Sequence, residues 1–439
     1  MEKLALLGGT PAIENAPVKE LFGWPIITEE DEKAVLKVLH DNSFSGTDIT
    51  IRFQEEFAKW QQRKYALAWC NGTMSLAAAM FAIGLGNGDE IICPTKTYWA
   101  SIVQSLGMGA VPVFCNVDEH LSLDPADLER CISPRTKAVM VVHYSAYPCD
   151  MDAIMPIIKK HNLILIEDVS HAQGGMYKGK KLGTFGEVAA MSLMSGKSFA
   201  AGELGMLVTD DRKIYERAIA YGHYERNNAQ NIIESEDLKP FYHIALGGVK
   251  GRANQMCSAL GLIQLKHYDE RCREIRKAMN YFWDLLEGVK GIRAIRVDES
   301  TGSNMAGWYN PLGAYHPEEL HGLSAHRFCE ALRAEGVGSW DGANYCLHTH
   351  RLFKDMDLFH AGMPTRIAYA ERDVRAEDEK CDPSVQRYCF TVPWFKHFDR
   401  EWIEKYAAAI RKVVENHEQL LEADKDTLGG RWHGLDGEH

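Results

Sequence analysis

From about Tyr65 onward the chain repeats one pattern: a short apolar run, a turn, then a stretch whose apolar residues recur at helical spacing. Candidate strands are 66–70, 90–93, 111–115, 138–143, 163–168, 188–192 and 205–209. Runs such as VMVV and LILI are apolar throughout, whereas a strand with one wet face alternates. They therefore suit strands covered on both sides, as in a mainly parallel sheet with helices packed on its faces. The fold class read from this is α/β.

The length of 439 residues exceeds one ordinary domain. A turn-rich, apolar arm is expected over 1–27. Thr28, followed by acidic residues 29–31, opens a helix, and a large domain with a mainly parallel seven-stranded sheet is expected over 28–253. Asp124-Pro125 opens another helix before 126–131. Residues 211–251 lose the rhythm and are rich in His, Tyr, Asn and Arg, as expected of a surface or substrate-facing connection. A long helical pattern near 254–287 leads into a smaller α+β domain over 254–423, with helices near 324–335 and 400–416. The last stretch, 424–439, has no periodicity and is expected to be a flexible tail.

A formal net charge of -12 argues against nucleic acid or an anionic membrane as main partner, since both need a basic surface. Small molecules or another protein remain. Eleven cysteines occur with no CxxC pair and no secretory leader, which points to a reduced, cytoplasmic compartment. No apolar run approaches the roughly 20 residues that span a bilayer.

Ligands of open parallel sheets bind beyond the carboxyl ends of the strands, so the residues there carry the chemistry. Asn71-Gly72-Thr73 leads from a strand into a helix, and free N–H groups at such a start suit a phosphate; an ordinary capped turn looks the same. Tyr98, within Thr97-Tyr98-Trp99, could stack on a flat heterocycle or fill core. Asp168, after Glu167 and before His171, could keep a pyridine nitrogen protonated or simply cap a turn. Lys197 lies among small residues after a buried strand, where an amine of lowered pKa can form an imine; most lysines are solvated instead. The four places carry weight only together. His348 and His350 lack a third ligand at metal spacing, so no metal is expected. Ser195-Gly196 lacks the GxSxG elbow of a serine hydrolase.

The ordered segments NGT, CPTKTYWAS, VHYSAYPCDMDAI, IEDVSHAQG, SLMSGKSFAAGE and GRANQMCSALGLIQL resemble the DegT/StrS sugar aminotransferases, which are fold-type-I pyridoxal phosphate enzymes. The resemblance covers nearly the whole chain. It implies that Lys197 binds pyridoxal 5'-phosphate covalently, Asp168 pairs with the pyridine nitrogen, Tyr98 stacks on the ring and His171 lies beside the phenolic oxygen. It further implies that Gly72, Thr73 and Ser192 hold the phosphate, and that in a homodimer Lys250 of the neighbouring chain, with Arg252 as companion, completes the site.

Three places depart from the family pattern: Leu204 in GELG, Gly251 where an aromatic is common, and the helix start NQMCSALG that follows it. Lysine at 197, rather than the histidine of a dehydrating branch, favours transamination. The motifs look most like members acting on inososes and aminoshikimate-type carbocycles. That implies glutamine or glutamate as donor and a keto-sugar or keto-cyclitol as acceptor, faced by His223, Tyr224 and Arg226 of the polar connection. The rivals are a dehydratase or aromatising eliminase of the same fold, and a catalytically silent regulatory partner.

Overall fold

The computed structural model describes residues 2–355, 374 and 378–425. Seven strands form the main sheet: β1 (Tyr65–Trp69), β2 (Glu90–Pro94), β3 (Val111–Cys115), β4 (Thr136–Val142), β5 (Ile164–Asp168), β8 (Val188–Ser192) and β9 (Gly205–Thr209). A two-residue hairpin, β6 (Met176–Tyr177) and β7 (Lys180–Lys181), interrupts the series. Each expected strand is present, with ends within two residues of the sequence reading.

The sheet order is β1-β9-β8-β5-β4-β2-β3. Strand β9 runs antiparallel to β1 and β8, and the remaining neighbours pair in parallel. Six strands thus finish at one edge, and β9 begins there. Strands β2, β3 and β9 are buried at every residue, because helices cover both faces.

The helix Glu29–His40 starts at Thr28 with a full capping box: Thr28 accepts from the Asp31 N–H and Asp31 accepts from that of Thr28. The helix Gln255–Leu285, capped by Asn254, connects the main sheet to a second, antiparallel sheet of β10 (Ile292–Ala294), β11 (Leu312–Tyr315) and β12 (Cys389–Thr391). Helices Ala325–Ala334 and Arg400–Glu415 pack with it.

Two expectations need correction. The first part of the polar connection is helical, Arg212–Gly222, because the Asp211 carboxylate accepts from the N–H groups of Lys213 and Ile214 while Ile214, Ala218 and Ile219 are buried. Asp424, read as the start of a tail, is fixed: its carboxylate accepts from the Ser324 N–H and hydroxyl. Residues 426–439 of that expected tail lie outside the described residues.

Near the N-terminus the chain folds onto the second sheet's helices. Glu335 accepts from the N–H groups of Ala5 and Ala12, both at 2.8 Å, and pairs with Lys412 at 2.9 Å.

Glu167 shows why its neighbour Asp168 is available for other work. Successive strand residues point to opposite faces. Glu167 accepts from the N–H groups of Gly183, Phe185 and Gly186 and meets His143 Nε2 at 3.2 Å, so both its oxygens serve the fold. Breaking such a buried pair costs about 3–5 kcal/mol. Glu167→Ala is expected to lose about that much by urea denaturation of the cofactor-free protein, and a loss below about 1 kcal/mol contradicts this role.

Candidate active site

The shared strand edge gathers the candidate residues around a cavity of about 500 Å³. Asn71, Gly72 and Thr73 follow β1, Tyr98 lies beyond β2, Asp168 ends β5, and Ser192 ends β8. His171 and Lys197 complete the set.

The helix Gly72–Ala82 points its N-terminus at this cavity. Asn71 caps it by accepting from the Met74 N–H at 2.8 Å, while the N–H groups of Gly72 and Thr73 find no acceptor among the described residues. A Cβ on Gly72 would sit 2.6 Å from the Ser192 Cβ, so only glycine brings the helix start against the end of β8. Two free N–H groups, the positive end of the helix and the Ser192 hydroxyl make an anion cradle.

Asp168 is buried. Its Oδ2 accepts from the Ser101 hydroxyl at 2.7 Å, and its Oδ1 accepts from the Ser170 N–H at 3.0 Å. Beside it His171 accepts at Nδ1 from the Ser145 N–H at 3.2 Å, which leaves Nε2 to carry the ring proton. Burial, reinforced by the nearby Lys197 charge, pushes His171 well below its ordinary pKa, so the ring is neutral at pH 7.

The lysine is presented by a clipped loop. Leu193 donates to the Leu204 carbonyl and accepts from the Ala201 N–H, both at 2.8 Å, closing a turn around Lys197. Leu204, the residue that departs from the family pattern, is fully buried and anchors this clip. Trp24, from the N-terminal arm, donates its indole N–H to the Lys197 carbonyl at 2.8 Å. The Lys197 Nζ lies 4.1 Å from the Tyr309 ring centroid. Burial lowers its pKa to about 8, with the Asp168 carboxylate opposing the shift. Near neutral pH a far larger share of this amine is therefore free than at an ordinary lysine.

Sequence reasoning missed Tyr309, Asn310 and Asn344 on the cavity wall, and Trp24 behind it. Tyr309 lies against His171, with centroids 4.6 Å apart and ring planes tilted by 51°.

His223, Tyr224, Arg226 and Lys250 do not line the cavity of their own chain. His223 packs edge-on against Trp69 and is pushed down to about 3 by burial and by the charges of Arg226 and Arg252. Arg226 donates to the Tyr215 hydroxyl at 2.7 Å. Tyr224 and Lys250 are exposed together, the Nζ 5.7 Å from the ring. Gly251 is explained by Trp69, because a Cβ there would come within 2.5 Å of the indole. Arg252 lies 3.7 Å from Glu225.

The sequence model of the DegT/DnrJ/EryC1/StrS aminotransferase family matches residues 25–372. The chain belongs to this family. An L-glutamine:scyllo-inosose aminotransferase of Streptomyces griseus is 30% identical over 434 residues, spanning 95% of this chain and 99% of that protein. A GDP-perosamine synthase of Escherichia coli O157:H7 is 36% identical over 256 residues, 57% of this chain and 68% of that one. The solved aminotransferase of Psychrobacter cryohalolentis superposes with a TM-score of 0.74 at 27% identity, covering 90% of this chain and 98% of its own.

The chain is therefore a pyridoxal phosphate-dependent aminotransferase of fold type I. The cavity fits that cofactor: an anion cradle at one end, a buried carboxylate, a neutral histidine N–H and one amine of lowered pKa.

The lysine's pKa can be read directly. In the cofactor-free protein, competitive methylation followed by mass spectrometry is expected to give Lys197 a midpoint near pH 8. Asp168→Asn, which removes the charge that favours the ammonium, is expected to move that midpoint lower. A midpoint at the ordinary lysine value would contradict the burial argument.

Proposed function

We propose that this aminotransferase moves an amino group from glutamine or glutamate to a keto-sugar or keto-cyclitol in amino-sugar or aminocyclitol biosynthesis. The single observation that carries the reading is the meeting of Lys197 and Asp168 in one cavity at the sheet edge. The acceptor class is supported by the near-full-length likeness to an inosose aminotransferase and the partial likeness to a perosamine synthase.

Bound at this place, pyridoxal phosphate supplies an electron sink for the carbon bearing the amine. In our reading the chain's own residues do the following. The N–H groups of Gly72 and Thr73 and the Ser192 hydroxyl hold the phosphate. Asp168, fixed by Ser101 and Ser170, keeps a proton on the ring nitrogen. His171 donates its Nε2 proton to the phenolic oxygen, and Tyr98 lies against the ring. The Lys197 amine takes a proton from the donor's α-carbon and later returns one to the acceptor's carbon, for which a pKa near 8 leaves enough of both forms.

The assembly we propose is a homodimer. His223, Tyr224, Arg226 and Lys250 lie on one connection, outside the cavity of their own chain, and the buried Glu225 oxygens find no hydrogen-bond partner among the described residues. A neighbouring chain would use that surface, with Lys250 reaching the partner's phosphate and the polar connection facing its acceptor. Residues 28–253 would be the cofactor-binding domain, 254–423 the smaller domain, and 1–27 the arm. Eleven free cysteines support a reducing compartment such as the cytoplasm. No described helix is long and apolar enough to cross a membrane.

Lys197→Ala is expected to abolish the visible band of the lysine-bound cofactor and all turnover, read by absorbance and by amine formation from keto-sugars and inososes. Release of water without a new amine would replace transamination by elimination. Mixing Lys197→Ala chains with Lys250→Ala chains is expected to restore about a quarter of wild-type activity, since half the dimers are hybrids with one intact site. No recovery on mixing contradicts the shared site.

A further inference from the structure

A second cavity, of about 440 Å³, adjoins the first and shares Asn310 and Asn344 as wall residues. It lies on the side of the small sheet and is walled by Phe22, Trp340, Trp394 and Tyr406. One basic side chain, Lys396, lines it. Lys396 is only 3% exposed, and its Nζ makes no hydrogen bond among the described residues. The amine sits against the Trp394 ring and 5.2 Å from the Trp24 centroid. Its backbone N–H is fixed on the Leu21 carbonyl at 2.9 Å, so the chain is held at this point.

These aromatics tie the two amines together. Tyr309 touches both sides, with its centroid 4.1 Å from the Lys197 Nζ and 5.5 Å from the Trp394 centroid. Trp24 contacts both as well, through its N–H to the Lys197 carbonyl and its ring to Lys396. The one acid among the described residues of this wall, Asp341, is turned to His326 at 3.3 Å.

Within its own chain the active cavity offers one basic side chain for two tasks. Among the described residues lining it, Lys197 is the only lysine or arginine, and His171 is neutral. An amino acid donor always brings a carboxylate next to the reacting carbon, and Lys197 is committed to the amine chemistry. We propose that Lys396 is the donor-binding cation of this enzyme, receiving the carboxylate of the incoming amino acid from the side of the second cavity. This rests on the proposed transamination and adds the residue that recognises its donor.

Burial pushes the Lys396 amine down to about 5, so at neutral pH it carries no charge and needs no counter-ion. The donor arrives with its own ammonium group, which must lose a proton before it reacts; taken up by Lys396, that proton gives an ammonium that makes a charge-assisted hydrogen bond to the carboxylate in an apolar surround. The aromatic walls that lower the pKa also screen this pair from water.

The test is the donor half-reaction of the cofactor-loaded protein, followed by loss of the visible band. In Lys396→Met the glutamine or glutamate concentration giving half the limiting rate is expected to rise about 30-fold, the scale of one hydrogen bond to a charged group. The limiting rate and the acceptor KM are expected to stay within about twofold, and Lys396→Arg to recover most of the loss. A donor whose carboxyl is reduced to an alcohol is expected to react alike in wild type and Lys396→Met. Unchanged donor saturation in Lys396→Met, or a rise confined to the acceptor KM, overturns the proposal. Lys396→Gln, which keeps a polar end, provides the same comparison should the methionine variant misfold. Failure of the wild-type protein to react with either donor would instead overturn the proposed function itself.

Discussion

The register of β5 against β8 is the constraint on which the site depends. Asp168 lies opposite Ala190, so β8 runs two residues further and delivers Ser192 just past the carboxylate. The chain must then return as β9, whose Gly205 pairs with Ser192. The loop between these fixed ends carries Lys197, and its clip through Leu193, Ala201 and Leu204 leaves it little freedom. A one-residue slip of β8 would turn every side chain of that strand to the other face and remove the serine from the helix start.

Burial on both faces of the sheet makes the same edge chemically useful. It removes water from Asp168, lowers the Lys197 pKa and keeps His171 neutral, three effects with one cause. The fold resolves the cost of two adjacent carboxylates by giving Glu167 a cage of three N–H groups on the opposite face, so that Asp168 alone meets the cavity. Tyr309 on the cavity wall meets Trp394 edge-on, and Trp24 bonds the Lys197 carbonyl from behind, joining residues distant in sequence around the lysine.

The strands were legible because burial on both faces writes an unbroken apolar run, and VMVV and LILI need no further context. Asp168 and Lys197 were legible only in company, as residues at strand ends in an ordered set of motifs. The polar connection misled for 212–222, where YERAIAYG hides an amphipathic helix behind tyrosines and charges. Tyr309 and Asn310 left no signal. They come from an irregular segment in which Ala306, Trp308 and Asn310 take positive φ, conformations that residue type does not announce. Lys396 was hidden by the ordinary expectation that a lysine is solvated; only the packing of two tryptophans around it shows otherwise.

We propose that the strand-end carboxylate of Asp168 sets the charge of the cofactor ring. The most direct measurement is the nitrogen-15 resonance of the protein loaded with pyridoxal phosphate labelled at the ring nitrogen. The account predicts a protonated ring nitrogen throughout the neutral range in wild type and a neutral one in Asp168→Asn; a neutral ring nitrogen in wild type would contradict it.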